Sequence, residues 1–145
     1  MNGYITFRMG ARELAAPLDQ VREVVRATGV ETLVGVRAPV TGLLQLRGDP
    51  LPVVDLRTLP DRDDDGDVLV LVGDDDGPLG LAVDQVVEVS DAESLVADNA
   101  PRPLGLPNYV LEVLRAADDG RPVFLVHLRA LAGVASISPP APTRA

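Results

Sequence analysis

Apolar residues recur along the chain in short runs of roughly four to eight, cut by turn formers, and this rhythm predicts many short strands rather than long helices. In the first half the pattern places strands at 4–9, 13–18, 21–26, 43–47 and 51–56. In the second half it places them at 68–73, 79–84, 86–90, 110–115 and 122–128. Turns fall at Gly10-Ala11-Arg12, at Asp74-Asp75-Asp76-Gly77 and at Asp118-Asp119-Gly120, where Asp and Gly supply the positive φ that tight turns require. Pro52 and Pro122 open strands or sit on edges, since proline cannot donate to a ladder. Short helical turns are expected at 56–59, 91–95 and 128–133, with Asp91 as an N-cap. The Pro-rich tail at 135–145, ASISPPAPTRA, lacks apolar mass and is expected to be extended or disordered.

The chain repeats its own plan. YITFRMGARELAAPLDQVREVV at 4–25 lies over LVLVGDDDGPLGLAVDQVVEVS at 69–90 without gaps, with identities at Leu14/Leu79, Asp19/Asp84, Gln20/Gln85, Val21/Val86, Glu23/Glu88 and Val24/Val89. A second echo, VVDLRTL at 53–59 and LVHLRAL at 125–131, follows in the same order. Two copies are too few for a solenoid. Two β modules packed on one another are the better solution, because a unit of roughly 65 residues is marginal alone and gains by burying a shared apolar seam.

Composition narrows the function. The chain is 46% hydrophobic but only 3% aromatic, so aliphatic side chains and alanine must fill its core. A formal net charge of −9 disfavours nucleic acid and anionic membrane as partners. No apolar run approaches the roughly 18 residues of a spanning helix, so direct membrane insertion is not expected. The first residues, MNGYITFRMG, do not read as an export signal, and cysteine is absent, so disulfides and thiolate metal sites are excluded. A cytoplasmic location fits best.

Catalytic signatures are sparse. The single histidine, His127, stands between Val126 and Leu128 and reads as structural. The serines form no nucleophile elbow, and the acidic stretch from Gly73 to Gly80 is no phosphate loop. Asp61-Arg62-Asp63-Asp64-Asp65-Gly66 satisfies the first half of a calcium loop. Position 12 falls on Val72, however, so an acidic solvated linker is preferred over a calcium-binding β module. The repeated pairs Asp19/Glu23 and Asp84/Glu88 would lie about 13 Å apart along a strand, too far for acid–base chemistry. Neither an enzyme nor a cofactor is expected.

GLLQLRGDPLPVVDLRTL at 42–59 resembles the most recognisable stretch of CheW-like coupling proteins, and similarity in the right order extends over about residues 4–133. The resemblance implies an all-β fold of two five-stranded SH3-like barrels, with a CheW-like domain at 1–135. The first barrel would span approximately 1–60, an acidic linker 60–67, and the second barrel approximately 68–133. It implies a non-catalytic adaptor, monomeric in isolation, joining the cytoplasmic tip of a methyl-accepting chemoreceptor to the regulatory domain of a CheA-type histidine kinase. A CheW-like scaffold for a pilus or developmental kinase pathway is the alternative. Carried over by position, the binding groove would include Leu18, Val21, Glu23 and Val24 from the first half, and Val68, Gly80 and Val86 from the second, with Arg47 beside them. An apolar groove of this kind suits a helical hairpin, with Glu23 and Arg47 setting register. A second reading stands for several of these residues: the valines as core, Gly80 as a bulge, and Arg47 as an ion pair with Asp55. The chain departs from the family pattern at Gln45, where asparagine is usual, at Glu112, where glycine is common, and at His127, where aspartate or asparagine is usual.

Overall fold

A computed structural model describes residues 3–33, 39–58, 66–74, 77–97 and 104–133. Among these, twelve strands follow one another: β1 (Tyr4–Met9), β2 (Arg12–Pro17), β3 (Val21–Arg26), β4 (Glu31–Thr32), β5 (Gly42–Leu46), β6 (Asp49–Asp55), β7 (Asp67–Asp74), β8 (Gly77–Val83), β9 (Gln85–Ser90), β10 (Leu95–Ala97), β11 (Val110–Ala116) and β12 (Pro122–Val126). One helical turn, α1 (Leu128–Leu131), and two 3-10 turns, Leu18–Gln20 and Ala92–Ser94, complete the set. All ten strands expected from the sequence are present. The two additional ones, β4 and β10, are too short to impose a readable pattern. Leu18 opens a 3-10 turn rather than ending a strand. No helix forms over Leu56–Thr58, because the Asp55 carboxylate accepts from both the backbone N–H and the Nε of Arg57 and holds a side-chain turn instead. Residues 61–65 of the half calcium loop and the tail from 135 lie outside the described residues.

The strands form two six-stranded sheets rather than five-stranded ones, ordered β10-β11-β12-β2-β1-β9 and β3-β7-β8-β6-β5-β4. Each sheet draws on both halves of the chain and cuts across the division at 60–67. The first takes β1 and β2 from the N-terminal half, and the second takes β7 and β8 from the C-terminal half. The chain leaves β2 for the opposite sheet through Leu18–Gln20 and leaves β8 through Asp84. The repeated Asp-Gln-Val element is thus the crossover, used twice. Each crossover feeds an edge strand, β3 or β9. The exchange is sealed by two parallel pairings, β2 with β12 and β6 with β8.

Side-chain alternation along the central strands feeds three cores. On β7, Leu69 and Leu71 point into the core shared by the two sheets, while Val68 and Val70 fill the second barrel-like sheet with Leu44, Leu51 and Val53. On β8, Leu79, Leu81 and Val83 join the shared core and Ala82 the other. On β2, Leu14 and Ala16 face the shared core while Ala15 faces a third cluster with Leu95, Leu114 and Val123. The strands that change partners are therefore apolar on both faces, which explains their near-continuous hydrophobic runs. Phe7 and Ile5 of β1 and Leu128 and Ala132 at α1 complete the shared core.

Leu81→Ala, emptying space in the shared core, is expected to cost about 2–5 kcal/mol and to lower a single cooperative urea transition in which both sheets unfold together. Gly80→Ala is expected to destabilise by about 1–3 kcal/mol. Its Cβ would stand 2.9 Å from both Leu51 Cδ2 and Val68 Cγ1. Urea titration followed by far-UV circular dichroism checks both. Two separate transitions for Leu81→Ala would show that the sheets are independent.

Candidate functional site

The two edge strands fed by the crossovers flank the seam between the sheets. Residues directly opposite in a ladder share a face, so the register assigns each side chain. On β3, Val21 lies opposite Leu71 and Val24 opposite Leu69, both of which line the shared core. On β9, Val86 lies opposite Phe7 and Val89 opposite Ile5, again on the shared-core side. Val21 and Val86 are half-buried against that core. Val24 and Val89 lie farther along and are 39% and 60% exposed. A register shift falls at the same repeat position in both strands, opposite Leu71/Val70 for β3 and opposite Phe7/Thr6 for β9. These bulges bend the edges and discourage the addition of a further strand.

Two contacts show that β3 and β9 run along the seam in opposite directions. At one end, Asp67 accepts from Arg26 Nη1 at 3.1 Å and from the Val86 backbone N–H at 2.8 Å, joining the finish of β3 to the start of β9. At the other, the Leu18 N–H donates to Gly3 O at 3.1 Å, and Gly3 packs against Ser90 at the finish of β9. A Cβ at position 3 would stand 2.5 Å from Ser90 O, so only glycine fits this approach. The result is a strip of Leu18, Val21 and Val24 on one edge facing Val86 and Val89 on the other.

Of the eight residues assigned to binding from the sequence, Leu18, Val21, Val24 and Val86 meet on this strip. Val68 does not: it is wholly buried among Ala27, Leu51 and Val70. Gly80 is also interior, its face closed by Leu51 and Val68. Both belong to the core because β7 and β8 are central strands covered on either side. Glu23 lies opposite Val70, on the other face of β3 from the strip, and forms a bidentate pair with Arg47: Arg47 Nη1 donates to Glu23 Oε1 at 3.0 Å, and Arg47 Nη2 donates to Glu23 Oε2. Arg47 is therefore not the partner of Asp55, which binds Arg57 instead, with Nη2 to Oδ2 at 2.7 Å. Arg47 and Gly48 form the two-residue turn between β5 and β6, with φ of 51° and 87°, the positive pair that matches hairpin twist. That turn carries the guanidinium back to β3 at the opposite side of the sheet. The hydrogen bond from Arg47 holds the Glu23 carboxyl below its ordinary range, and the same bond raises the Arg47 guanidinium.

Other polar residues act on the framework. His127 Nδ1 accepts from Ala130 N at 3.2 Å and caps α1, while Gln20 Oε1 accepts from Leu128 N at 3.0 Å. Asp84 receives the backbone N–H groups of Gly10 and Thr58, each at 2.7 Å. Burial pushes its carboxyl up, but these bonds and the Thr58 hydroxyl hold it below the usual carboxylate range. Glu112 is exposed on β11, just past a register shift. Among the described residues no cluster of three or more His, Cys, Asp or Glu is placed to hold a metal, and no helix is long and apolar enough to cross a membrane.

Val89 escaped the sequence reading, although the repeat already pairs it with Val24. What alternation alone could not show is the bulge, which returns Val89 to the same face as Val86 although the two are three residues apart.

A family model described as a CheW-like domain matches residues 3–138. Among solved structures, the chain is similar to the scaffolding protein TtCheW from Thermoanaerobacter tengcongensis, with 20% identity, a TM-score of 0.62, and coverage of 87% of this chain and 88% of that one. No curated protein matches the chain significantly.

Because Glu23 has a lowered folded pKa, its pairing stabilises the fold above the ordinary carboxylate range, and that stability is lost as pH falls through the folded value. Glu23→Gln is expected to flatten this part of the acid limb when urea midpoints are compared between about pH 7 and about pH 2, and about 1 M salt should shrink the difference because the pair is exposed. An unchanged limb would show that the pair does not persist in solution.

Proposed function

The chain belongs to the CheW-like domain family, and from that membership we propose that it is a non-catalytic cytoplasmic adaptor joining a chemoreceptor's signalling tip to the regulatory domain of a CheA-type histidine kinase. The observation that carries this reading is the strip of aliphatic side chains along the seam. It is partly exposed, framed by bulged edges and lined by Leu18, Val21, Val24 and Val86. Such a surface buries the apolar face of a helix without making or breaking bonds, as helix-in-groove recognition requires. The Glu23–Arg47 pair lies on the other face of the same edge strand and supplies orientation more than affinity. In this role the protein acts by position: it holds two partners at a fixed spacing, and the shared core makes that spacing rigid.

Val24→Asp and Arg47→Glu are the discriminating variants, because both positions are exposed and neither fills a core. Each is expected to weaken capture of a purified receptor signalling-tip fragment by about tenfold or more while leaving the far-UV spectrum unchanged. Binding by calorimetry against that fragment, and separately against the kinase regulatory domain, checks this. Normal binding of both partners by both variants would defeat the assignment.

A further inference from the structure

The two halves treat one repeated carboxylate differently. Glu23 and Glu88 correspond in the repeat, and each is the first residue paired beyond the bulge of its edge strand. Glu23 holds the guanidinium of Arg47, which arrives from the β5–β6 turn. Carried along the second echo, Arg47-Gly48 falls on Asp119-Gly120, so the β11–β12 tip brings a carboxylate where the other tip brings a cation. The arginine that this tip does carry, Arg121, turns to Glu13, Asp118 and Asp119. Among the described residues, no cation is paired with the Glu88 carboxylate. Beside it lies a cavity of about 140 Å³, floored by the buried Thr6, Leu95 and Ala116 and rimmed by Glu88, Ser90 and Ser94.

The groups lining this cavity lack a donor. Thr6 is 2% exposed and its hydroxyl donates to Glu88 O at 3.3 Å, while the Ser94 hydroxyl donates to Asp91 O at 2.7 Å. A hydroxyl has one proton to give, so both oxygens have only lone pairs left to offer. Arg121 does not answer them: its Nε and Nη2 go to Glu13, and its Nη1 goes to Asp118 and Asp119. We infer that this cavity binds a guanidinium group brought by a second molecule, held by Glu88 as Arg47 is held by Glu23. A guanidinium offers five donors and no acceptor, in a planar fork that matches a carboxylate at two points. An anion would meet Glu13, Glu88 and Asp118 against the single, already engaged Arg121. The space is roughly ten times what one water molecule needs, enough for a planar group of a few heavy atoms. The inference is independent of the adaptor reading, because Glu88 lies opposite Thr6, whereas Val86 and Val89 lie opposite Phe7 and Ile5 on the other face.

The test titrates the full chain with methylguanidinium chloride, with methylammonium chloride and with the capped peptide acetyl-Gly-Arg-Gly-amide, following backbone amide shifts by NMR. Both guanidinium probes are expected to shift the amides of Thr6, Glu88 and Ser94 and to saturate in the millimolar range. Methylammonium is expected to bind at least about threefold more weakly, because it lacks the fork. Glu88→Gln is expected to weaken both guanidinium probes by about tenfold, and Thr6→Val by about threefold. Glu112→Gln, at an exposed carboxylate on β11, is expected to change binding by less than about twofold. Glu88 is itself exposed, so its substitution leaves the amide spectrum outside the cavity unchanged. Tighter binding of the peptide than of methylguanidinium assigns the group to a protein side chain, and the reverse assigns it to a small molecule; either supports the site. Shifts that never saturate, equal binding of methylammonium, or a Glu88→Gln chain that binds like wild type overturns the inference.

Discussion

Everything in this molecule depends on three strands that are apolar on both faces. β2, β7 and β8 each present one row of side chains to the core between the sheets and another to a core on the opposite face, while β1 adds Ile5 and Phe7 to the shared core but carries Thr6 and Arg8 on its other face. A sheet of a small domain ordinarily leaves one face to water, but here the exchange of hairpins between halves covers these three strands on both faces. The gain is a continuous core from a chain with only four aromatic residues. The cost is that neither sheet is complete without strands from the other half, so neither half is a folding unit.

The same constraint decides where a partner can bind. Central strands are consumed by packing, which is why Val68 and Gly80 are core despite lying in a segment that resembles the family's binding region. The edge strands β3 and β9 retain partly exposed valines on the seam side. β3 and β9 are edges because each begins at a crossover and has a neighbour on one side only. Two arginines close the open mouths of the sheets. Arg47 reaches Glu23 from the β5–β6 turn, and Arg121 reaches the buried Glu13 from the β11–β12 turn, with Nε to Oε1 at 2.9 Å. The first ties a hairpin tip to the far edge strand of its sheet, whereas the second ties its tip to the neighbouring strand β2.

Much of this was legible in the residues. The strands announced themselves through short aliphatic runs, and the repeat announced two modules. The pairing of Asp19-Gln20-Val21 with Asp84-Gln85-Val86 marked the place where the chain does the same thing twice. What it does there was not legible, because a hairpin packs equally well on its own half or on the other, and local pattern does not record which. The short β4 and β10 carried too few residues to show a period. The turn after β6 was misread because Asp55 and Arg57 satisfy each other's hydrogen bonds and remove the need for a helix. The binding strip was half legible. Val21, Val24 and Val86 follow from resemblance, but Val89 needed the bulge, and a bulge leaves no mark in a pattern of alternation.

The parallel pairing of β2 with β12 has a consequence for how the protein is made. As the chain emerges from the ribosome, the second sheet has all its strands once β8 is synthesised, but β1 and β2 have no completed sheet to join. Their apolar rows, Ile5, Phe7, Leu14 and Ala16 among them, must wait for nearly the entire polypeptide before the shared core is complete. The N-terminal hairpin is thus the first part translated and among the last to be fully paired.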